Sequence, residues 1–410
     1  MQLLGNVTVA FGLVLLLSTG YIQWTEGAAY SRRSANANAN KVDVEMSDAI
    51  ARKVLSFTVD IKNQVTTPVT VIYSPVSIMS ALAIIMSSRR QTRLANLTEL
   101  FGQIDVEKMH QQFGLMLKDM AQPTKDTISP LRQFDPWRRE GISESIFRQS
   151  SRTNGSQKVR LANALFLQLG NKLKLLKRHD ITVNYHPDIL HVDFNRRPME
   201  SINTINAWVD LQTNDHVDEM LKTSFEPETE RVFVTVLTFK ANWEIDFMTG
   251  SSKFNYFYPN GTENPITAPM MIATGDYPYY LSEELGCHII GIPYQGEMTT
   301  MYMIKPFNST KEVLNAFHEN LTADHIEDLI LNMKRRSGVV VLPKMNFEVS
   351  LILRTPLEGM GLSSIFDPIY SFTNQKAAMR GSKSTKVPGA LTVTQIFQKV
   401  QLRVDEKGTQ

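Results

Sequence analysis

Cysteine is almost missing from this chain: Cys287 stands alone among 410 residues. That excludes an intramolecular disulfide framework and any zinc site built on several thiolates. An excess of either charge is missing too. Lys and Arg number 43 against 41 Asp and Glu, so bulk charge argues for neither nucleic acid nor membrane as a partner. Electrostatic binding has to come from local clustering. With 21 Gly and 18 Pro, collagen-like and low-complexity architectures are excluded. The sequence has no Gly-x-Ser-x-Gly elbow, no Gly-x4-Gly-Lys phosphate loop and no His-Glu-x-x-His pair. Its eight histidines include no pair three or four residues apart. They read as surface or packing residues, and Cys287, in LGCHII, reads as a small buried hydrophobe. An enzyme is the poorer class of hypothesis.

What is present begins with a compartment signal. Val9 to Leu17 (VAFGLVLLL) is apolar but too short to span a bilayer comfortably. Gly27 and Ala29 place small residues at −3 and −1 of a cleavage after Ala29. MQLLGN carries no Lys or Arg, so a buried helix and a membrane anchor stand as lower-ranked alternatives; the polar SRRSANANANK that follows favours a signal peptide. The expected organisation is a signal at 1–29, a polar linker at 30–46 containing ANANAN, and one domain over 47–410. The mature protein is then expected to be secreted, extracellular, free of the membrane and monomeric. Five Asn-x-Ser/Thr sequons follow the leader, at Asn96, Asn154, Asn260, Asn308 and Asn320. Asn260 and Asn308 lie in turn-forming sequence and are the best candidates for occupied glycosylation sites.

Ile50, Val54, Phe57 and Ile61 recur at helical spacing, with Ser47 as the expected N-cap. A second helix follows Ser74-Pro75, with Val76, Met79, Leu82 and Ile85 or Met86 on one side. Residues 91–121 read as helical with a break near Gly102, and further helices are expected over 200–221 and 310–335. Ala162–Leu169, Val232–Phe239, Met298–Ile304 and Val339–Leu342 read as strands, the last as one buried on both faces. Helices interleaved with long strands, without βαβ alternation, point to an α+β fold with large, mainly antiparallel sheets.

A set of motifs then narrows the reading. Tyr73-Ser74-Pro75-Val76-Ser77-Ile78, Ala162-Asn163-Ala164-Leu165-Phe166, Ile205-Asn206-Ala207-Trp208-Val209 and Phe239-Lys240-Ala241-Asn242-Trp243 come first. Pro269-Met270-Met271, Leu285-Gly286-Cys287 with Ile292-Pro293-Tyr294, and Leu342-Pro343-Lys344-Met345 follow. Gly359-Met360-Gly361-Leu362 and Asp405-Glu406-Lys407-Gly408-Thr409 complete the series. In this order and spacing the set resembles the serpins, and secreted insect haemolymph serpins in style. The resemblance implies three mainly antiparallel sheets and eight or nine helices. It implies no enzyme activity, but a loop that is cleaved by an extracellular serine protease of trypsin-like type and then inserts into the main sheet. Glu406, Gly408 and Thr409 match the start of the loop's hinge. Ser74, Pro75 and Ser77 match the region beneath the opening sheet, and Trp243 the aromatic residue near the insertion point. Gln398 and Thr235 replace a usual His and Asn, so the buried contact between those two is expected to be lost. Gln410 replaces a frequent Glu, which reads as a mild change. By the same resemblance the scissile bond and last strands belong after Gln410, so the chain reads as truncated, incomplete at its C-terminus and inactive. The alternative is a non-inhibitory binding or carrier protein of the same fold.

Residues 123–159 read as an expansion relative to that family, and Ser145–His179 contains no Asp or Glu. Arg148, Arg152, Lys158, Arg160, Lys172, Lys174, Lys177 and Arg178 fall in this window. Two readings stand side by side: a solvated basic face, or a docking site for a polyanion such as a sulfated glycosaminoglycan, the one cofactor entertained. Trp137 and Phe147 are too sparse for nucleic-acid stacking.

Overall fold

The computed structural model describes residues 43–65, 72–87, 95–102, 105–121, 137, 157–170, 184–213, 221, 225, 229–249, 253–257, 265–295, 299–307, 310–366, 370–371, 385–386 and 393–410. Helix α1 (Val44–Gln64) starts earlier than expected and inside the predicted linker. Its N-cap is Asp43, whose carboxylate accepts the Met46 N–H at 3.1 Å. Ser47, the expected cap, lies one turn inside, buried and bonded to the Gln112 amide. Both residues are good caps and lie one helical turn apart, so the period alone could not separate them. Ile50, Phe57 and Ile61 are fully buried, as their spacing requires.

Helix α2 (Pro75–Ser87) is buried on every side from Ser77 onward, not along one stripe. It belongs to the main core beneath the sheet described next. Helices α3 (Ala95–Leu100) and α4 (Val106–Ala121) are separated at Gly102, whose φ of +86° few other residues adopt. Strands β1 (Gln157–Gln168) and β2 (Asp188–Val192) precede α5 (Pro198–Thr213) and β3 (Arg231–Asn242). The last three residues of the expected expansion, 157–159, lie in β1. Of the rest of that stretch, only Trp137 is described: it is buried, with the Arg335 guanidinium 5.6 Å from its ring centre.

Strands β4 (Lys253–Phe257), β5 (Ile266–Ser282), β6 (Cys287–Pro293) and β7 (Thr300–Pro306) come next. The helix expected over 310–335 divides into α6 (Lys311–Asn320) and α7 (Ala323–Leu331), because Thr310 and Thr322 each cap a new start. The chain is extended again from Lys334 in β8 (Lys334–Pro343), followed by β9 (Met345–Ile352) and α8 (Arg354–Gly359). Val339 is 60% exposed while Val340 and Leu342 are buried, so β8 has one covered face, not two. Short β10 (Tyr370–Ser371) and β11 (Thr385–Lys386) precede β12 (Gln395–Val404) and β13 (Gly408–Thr409).

Among the described residues these elements form an α+β fold with eight α-helices and three sheets. The largest sheet has the order β2-β1-β3-β13-β12-β9, with β3 and β12 also paired directly. A five-stranded sheet runs β4-β5-β6-β7 with β8 on β5, and β10 pairs β11. Among the described strands only β1–β2 and β3–β12 are parallel. One face of the large sheet packs on α2. The other packs Phe166, Val232 and Val234 against Ile205, Trp208 and Val209 of α5.

Cys287 is fully buried beside Ile289 and Leu329, and burial pushes its thiol up to about 11. His288 alternates to the other side of β6 and contacts the Tyr279 hydroxyl. His110 is a packing residue, enclosed between Tyr185 Oη (2.7 Å) and Ser87 Oγ (2.9 Å). No helix among the described residues is long and apolar enough to cross a membrane. The signal segment lies outside the described residues.

Candidate functional site

Three strands of the large sheet are fastened to the helix beneath them. Pro75 opens α2, where a missing N–H costs nothing, and Ser74 precedes it. Gln398 on β12 is buried; its Oε1 accepts the Ser74 N–H (2.9 Å) and its Nε2 donates to the Ser74 carbonyl (3.0 Å) and to Ser77 Oγ. From β3, Thr235 Oγ1 donates to the Ser77 carbonyl (3.3 Å). From β1, Asn163 Oδ1 accepts from Ser80 Oγ (3.2 Å). Every group in this network is neutral, and all but the half-buried Ser74 belong to buried residues, so a buried one left unpaired would cost about 1–3 kcal/mol.

Here β3 and β12 pair directly, from Val232↔Gln395 to Thr235↔Gln398. Thr235 and Gln398 thus share a rung. Both bond to Ser77 of α2, so beside the direct pairing a side-chain link between the two strands runs through the helix.

Above this rung the strands part, and β13 fills the space. Gly408 and Thr409 oppose Asn242 and Ala241 of β3, and Thr409 also opposes Val404 of β12. The chain reaches this position through a turn in which Asp405 Oδ1 accepts the N–H groups of Lys407 (2.9 Å) and Gly408 (3.3 Å). Position 408 has no room for a side chain: a Cβ there would lie 2.0 Å from the Ala241 carbonyl oxygen. Thr409 is 2% exposed, and its Oγ1 accepts from Tyr294 Oη at 2.7 Å. Complete burial pushes the Tyr294 phenol well above its ordinary pKa, so it remains a donor.

Tyr294 stacks on Trp243, with ring centres 4.6 Å apart and planes 13° from parallel. Trp243 donates its indole N–H to the Asp405 carbonyl (2.9 Å) and its backbone N–H to the Lys407 carbonyl (2.9 Å). Phe247 N–H reaches the Glu406 carbonyl at 3.0 Å. Two ion pairs edge the turn: Glu406 Oε1 to Lys344 Nζ (2.6 Å) and Lys407 Nζ to Asp246 Oδ2 (2.7 Å). The hydrogen bond to Asp246, and then its charge, raise the Lys407 ammonium pKa.

The structure therefore brings Glu406, Gly408, Thr409 and Trp243 into one cluster, and Ser74, Pro75 and Ser77 into another beneath the same strands. Asn163, Ser80, Tyr294 and Asp246 complete the clusters, although the sequence had singled out none of them as a site residue. Tyr294 and Asn163 lie in motifs already quoted; Ser80 and Asp246 carry no local signal. Of the eight basic candidates, Lys158 and Arg160 lie exposed on β1. Arg148, Arg152, Lys172, Lys174, Lys177 and Arg178 lie outside the described residues. Among the sequons, Asn320 is exposed at the end of α6 and Asn96 lies on α3. Asn154, Asn260 and Asn308 lie outside the described residues.

The sequence model of the family described as Serpin (serine protease inhibitor) matches residues 52–410. The chain belongs to the serpin family. Serine protease inhibitor 28Dc of Drosophila melanogaster is 35% identical over 392 residues, covering 90% of this chain and 72% of that protein. Iripin-5 of the tick Ixodes ricinus is 26% identical, covering 83% and 77% respectively. Among solved structures, reaction-loop-cleaved lamprey angiotensinogen superimposes with a TM-score of 0.67 at 20% identity, over 89% of this chain and 96% of that one. Human thyroxine-binding globulin gives 0.70 at 18% identity, over 89% and 87%. These two likenesses show the serpin fold. The family is one of protease inhibitors, which is the general activity that membership assigns.

Proposed function

We propose that this serpin is secreted and, as a monomer, inhibits a trypsin-like serine protease by suicide cleavage and loop insertion. The observation that supports the reading is β13: Gly408 and Thr409, which we read as the start of the hinge, occupy a place between β3 and β12. Insertion has to outrun hydrolysis of the acyl-enzyme. A hinge with no side chain at 408 and a small hydroxyl at 409 suits passage between parting strands. The scissile bond of such an inhibitor lies after its hinge, so we expect inhibition to need residues C-terminal to Gln410. The 410-residue chain is expected to form no covalent complex.

The test is a denaturing gel. A form continuing through the loop should give an SDS-stable complex with a trypsin-like protease, and the 410-residue chain none. Thr409→Arg in the longer form would drive a cation into the buried Tyr294 pocket. It should raise the number of inhibitor molecules consumed per protease inactivated. An unchanged ratio would put the non-inhibitory carrier reading ahead. That second reading draws on one likeness only, to a globulin that binds thyroxine. Secretion is tested by N-terminal sequencing of the product in the medium, expected near Tyr30; an intact Met1 in the cytosol would contradict it.

A further inference from the structure

Trp137 lies in the expansion, between the end of α4 at Ala121 and the start of β1 at Gln157. A large aromatic residue in a polar, basic stretch is expected at the surface, yet this one is 3% exposed. It belongs to the cluster that joins Cys287 and Ile289 of β6 and Tyr302 of β7 to Ile326 and Leu329 of α7. Its ring meets Tyr302 edge to face, with centres 6.5 Å apart and planes at 73°. Gly291 pairs with Tyr302 across β6 and β7 and leaves room for that ring: a Cβ at 291 would lie 3.2 Å from it. The site is therefore shaped around two aromatic rings, one of them supplied by the expansion.

Arg335 of β8 ties Trp137 to the hinge. Its guanidinium stands 5.6 Å from the Trp137 ring centre, within cation–π reach. Its Nε donates to the Trp137 carbonyl (3.3 Å) and its Nη1 to the Asp276 carbonyl (3.0 Å). Its Nη2 pairs with Glu244 Oε2 (3.4 Å). Only a planar fork makes these three donations at once; a lysine ammonium on its flexible stem does not. The Arg335 and Glu244 side chains are 12% and 24% exposed, so a misplaced arginine strands a carboxylate with little water around it. Glu244 directly follows Trp243, and its N–H donates to the Pro293 carbonyl (2.9 Å), next to Tyr294. Trp243 and Tyr294 are the stacked pair that holds Asp405, Lys407 and Thr409. Printed in order, the contacts run from Trp137 through Arg335 and Glu244 to the aromatic pair behind β13.

We propose that Trp137 is a positioning residue for the hinge: it holds the Arg335 fork against Glu244, and so sets the Trp243–Tyr294 pair on which β13 lies. The expansion thereby acts on the parted end of the large sheet. The inference rests on the placement of β13 and not on whether the loop of a longer form inserts, so it is tested in the 410-residue chain without a protease. The readout is amide hydrogen exchange at Trp243 and Gln410, whose N–H groups donate to the Lys407 and Arg403 carbonyls, with Gln398–Val400 as the reference. Trp137→Leu keeps the site apolar but removes the π face. It should speed exchange at Trp243 and Gln410 by about three- to tenfold, and change Gln398–Val400 by less than about twofold. Trp137→Phe should restore exchange to within about twofold of wild type, because a ring again faces the guanidinium. Arg335→Lys should speed the same two amides, and Trp137→Leu/Arg335→Lys should be no faster than Arg335→Lys alone, since both changes break one path. Four results overturn the proposal: equal acceleration at Gln398–Val400, which marks a general loss of stability; single effects that multiply in the double variant; Trp137→Phe as fast as Trp137→Leu; or Trp243 and Gln410 amides unprotected in wild type. Arg335→Lys leaves the Trp137 site filled and carries the prediction alone if Trp137→Leu does not fold. Exchange at the two amides unchanged by Arg335→Lys likewise overturns it.

Discussion

The same two strands, β3 and β12, are held in two different ways along their length. Around Thr235 and Gln398 they pair directly and are fastened to α2 by neutral, largely buried hydrogen bonds. Around Ala241 and Val404 they are parted by β13, backed by Tyr294 and Trp243 and edged by partly exposed ion pairs. The contrast teaches where this sheet is built to stay shut and where it is built to admit a strand. Buried neutral bonds are strong because the alternative is an unsatisfied polar group. Half-exposed ion pairs give way more cheaply.

The largest effect should come from the aromatic backing. Trp243→Ala removes a fully buried side chain together with the indole bond to Asp405, and is expected to cost about 3–5 kcal/mol in denaturant unfolding. If the parted end were only loosely packed, the loss would fall below that of the next variant. Gln398→Leu keeps the volume at the closed end but strands the Ser74 N–H and removes a donor from Ser77 Oγ, which keeps its own bond to the Ser74 carbonyl, for about 1–3 kcal/mol. Its effect should not change with salt, because no charge is removed.

Thr409→Val tests a single neutral bond at the open end. It leaves the Tyr294 hydroxyl without its partner and should cost about 1–2 kcal/mol. Glu406→Gln should cost under about 1 kcal/mol, and less at high salt, since Lys344 is more than a third exposed. Smallest is the pH effect of Lys407. Its pKa is raised in the folded state, so its stabilisation is complete below 10.5 and fades as pH rises through the higher folded value. Asp246→Asn should abolish that alkaline loss in a pH series of unfolding curves. A loss that persisted would assign it to another group.

Sequence periodicity was enough to read α1, β1 and β3, since each repeats a pattern that local physics enforces. It misread Ser47 because two cap residues lie one turn apart. It misread α2 because a helix enclosed on all sides has no polar face to mark its orientation. The motifs directed attention to Ser74, Ser77, Trp243 and Thr409, but not to the partners that make them a site. Ser74 and Gln398 are 324 residues apart, and only the closing of β12 onto β3 brings them together. The expected loss of a His–Asn contact illustrates the same limit, because the link through Ser77 is a property of packing beneath the sheet.

The central claim is that the segment after Lys407 is already a strand of the large sheet, and amide hydrogen exchange on the 410-residue chain tests it directly. The amides of Arg403, Gln410 and Trp243 each donate across this turn and strand, to the carbonyls of Gln410, Arg403 and Lys407. The account predicts slow exchange at all three, comparable to the amides of Gln398–Val400 lower on β12. Exchange at unstructured-chain rates for Gln410 and Trp243, with Gln398–Val400 still protected, would contradict it.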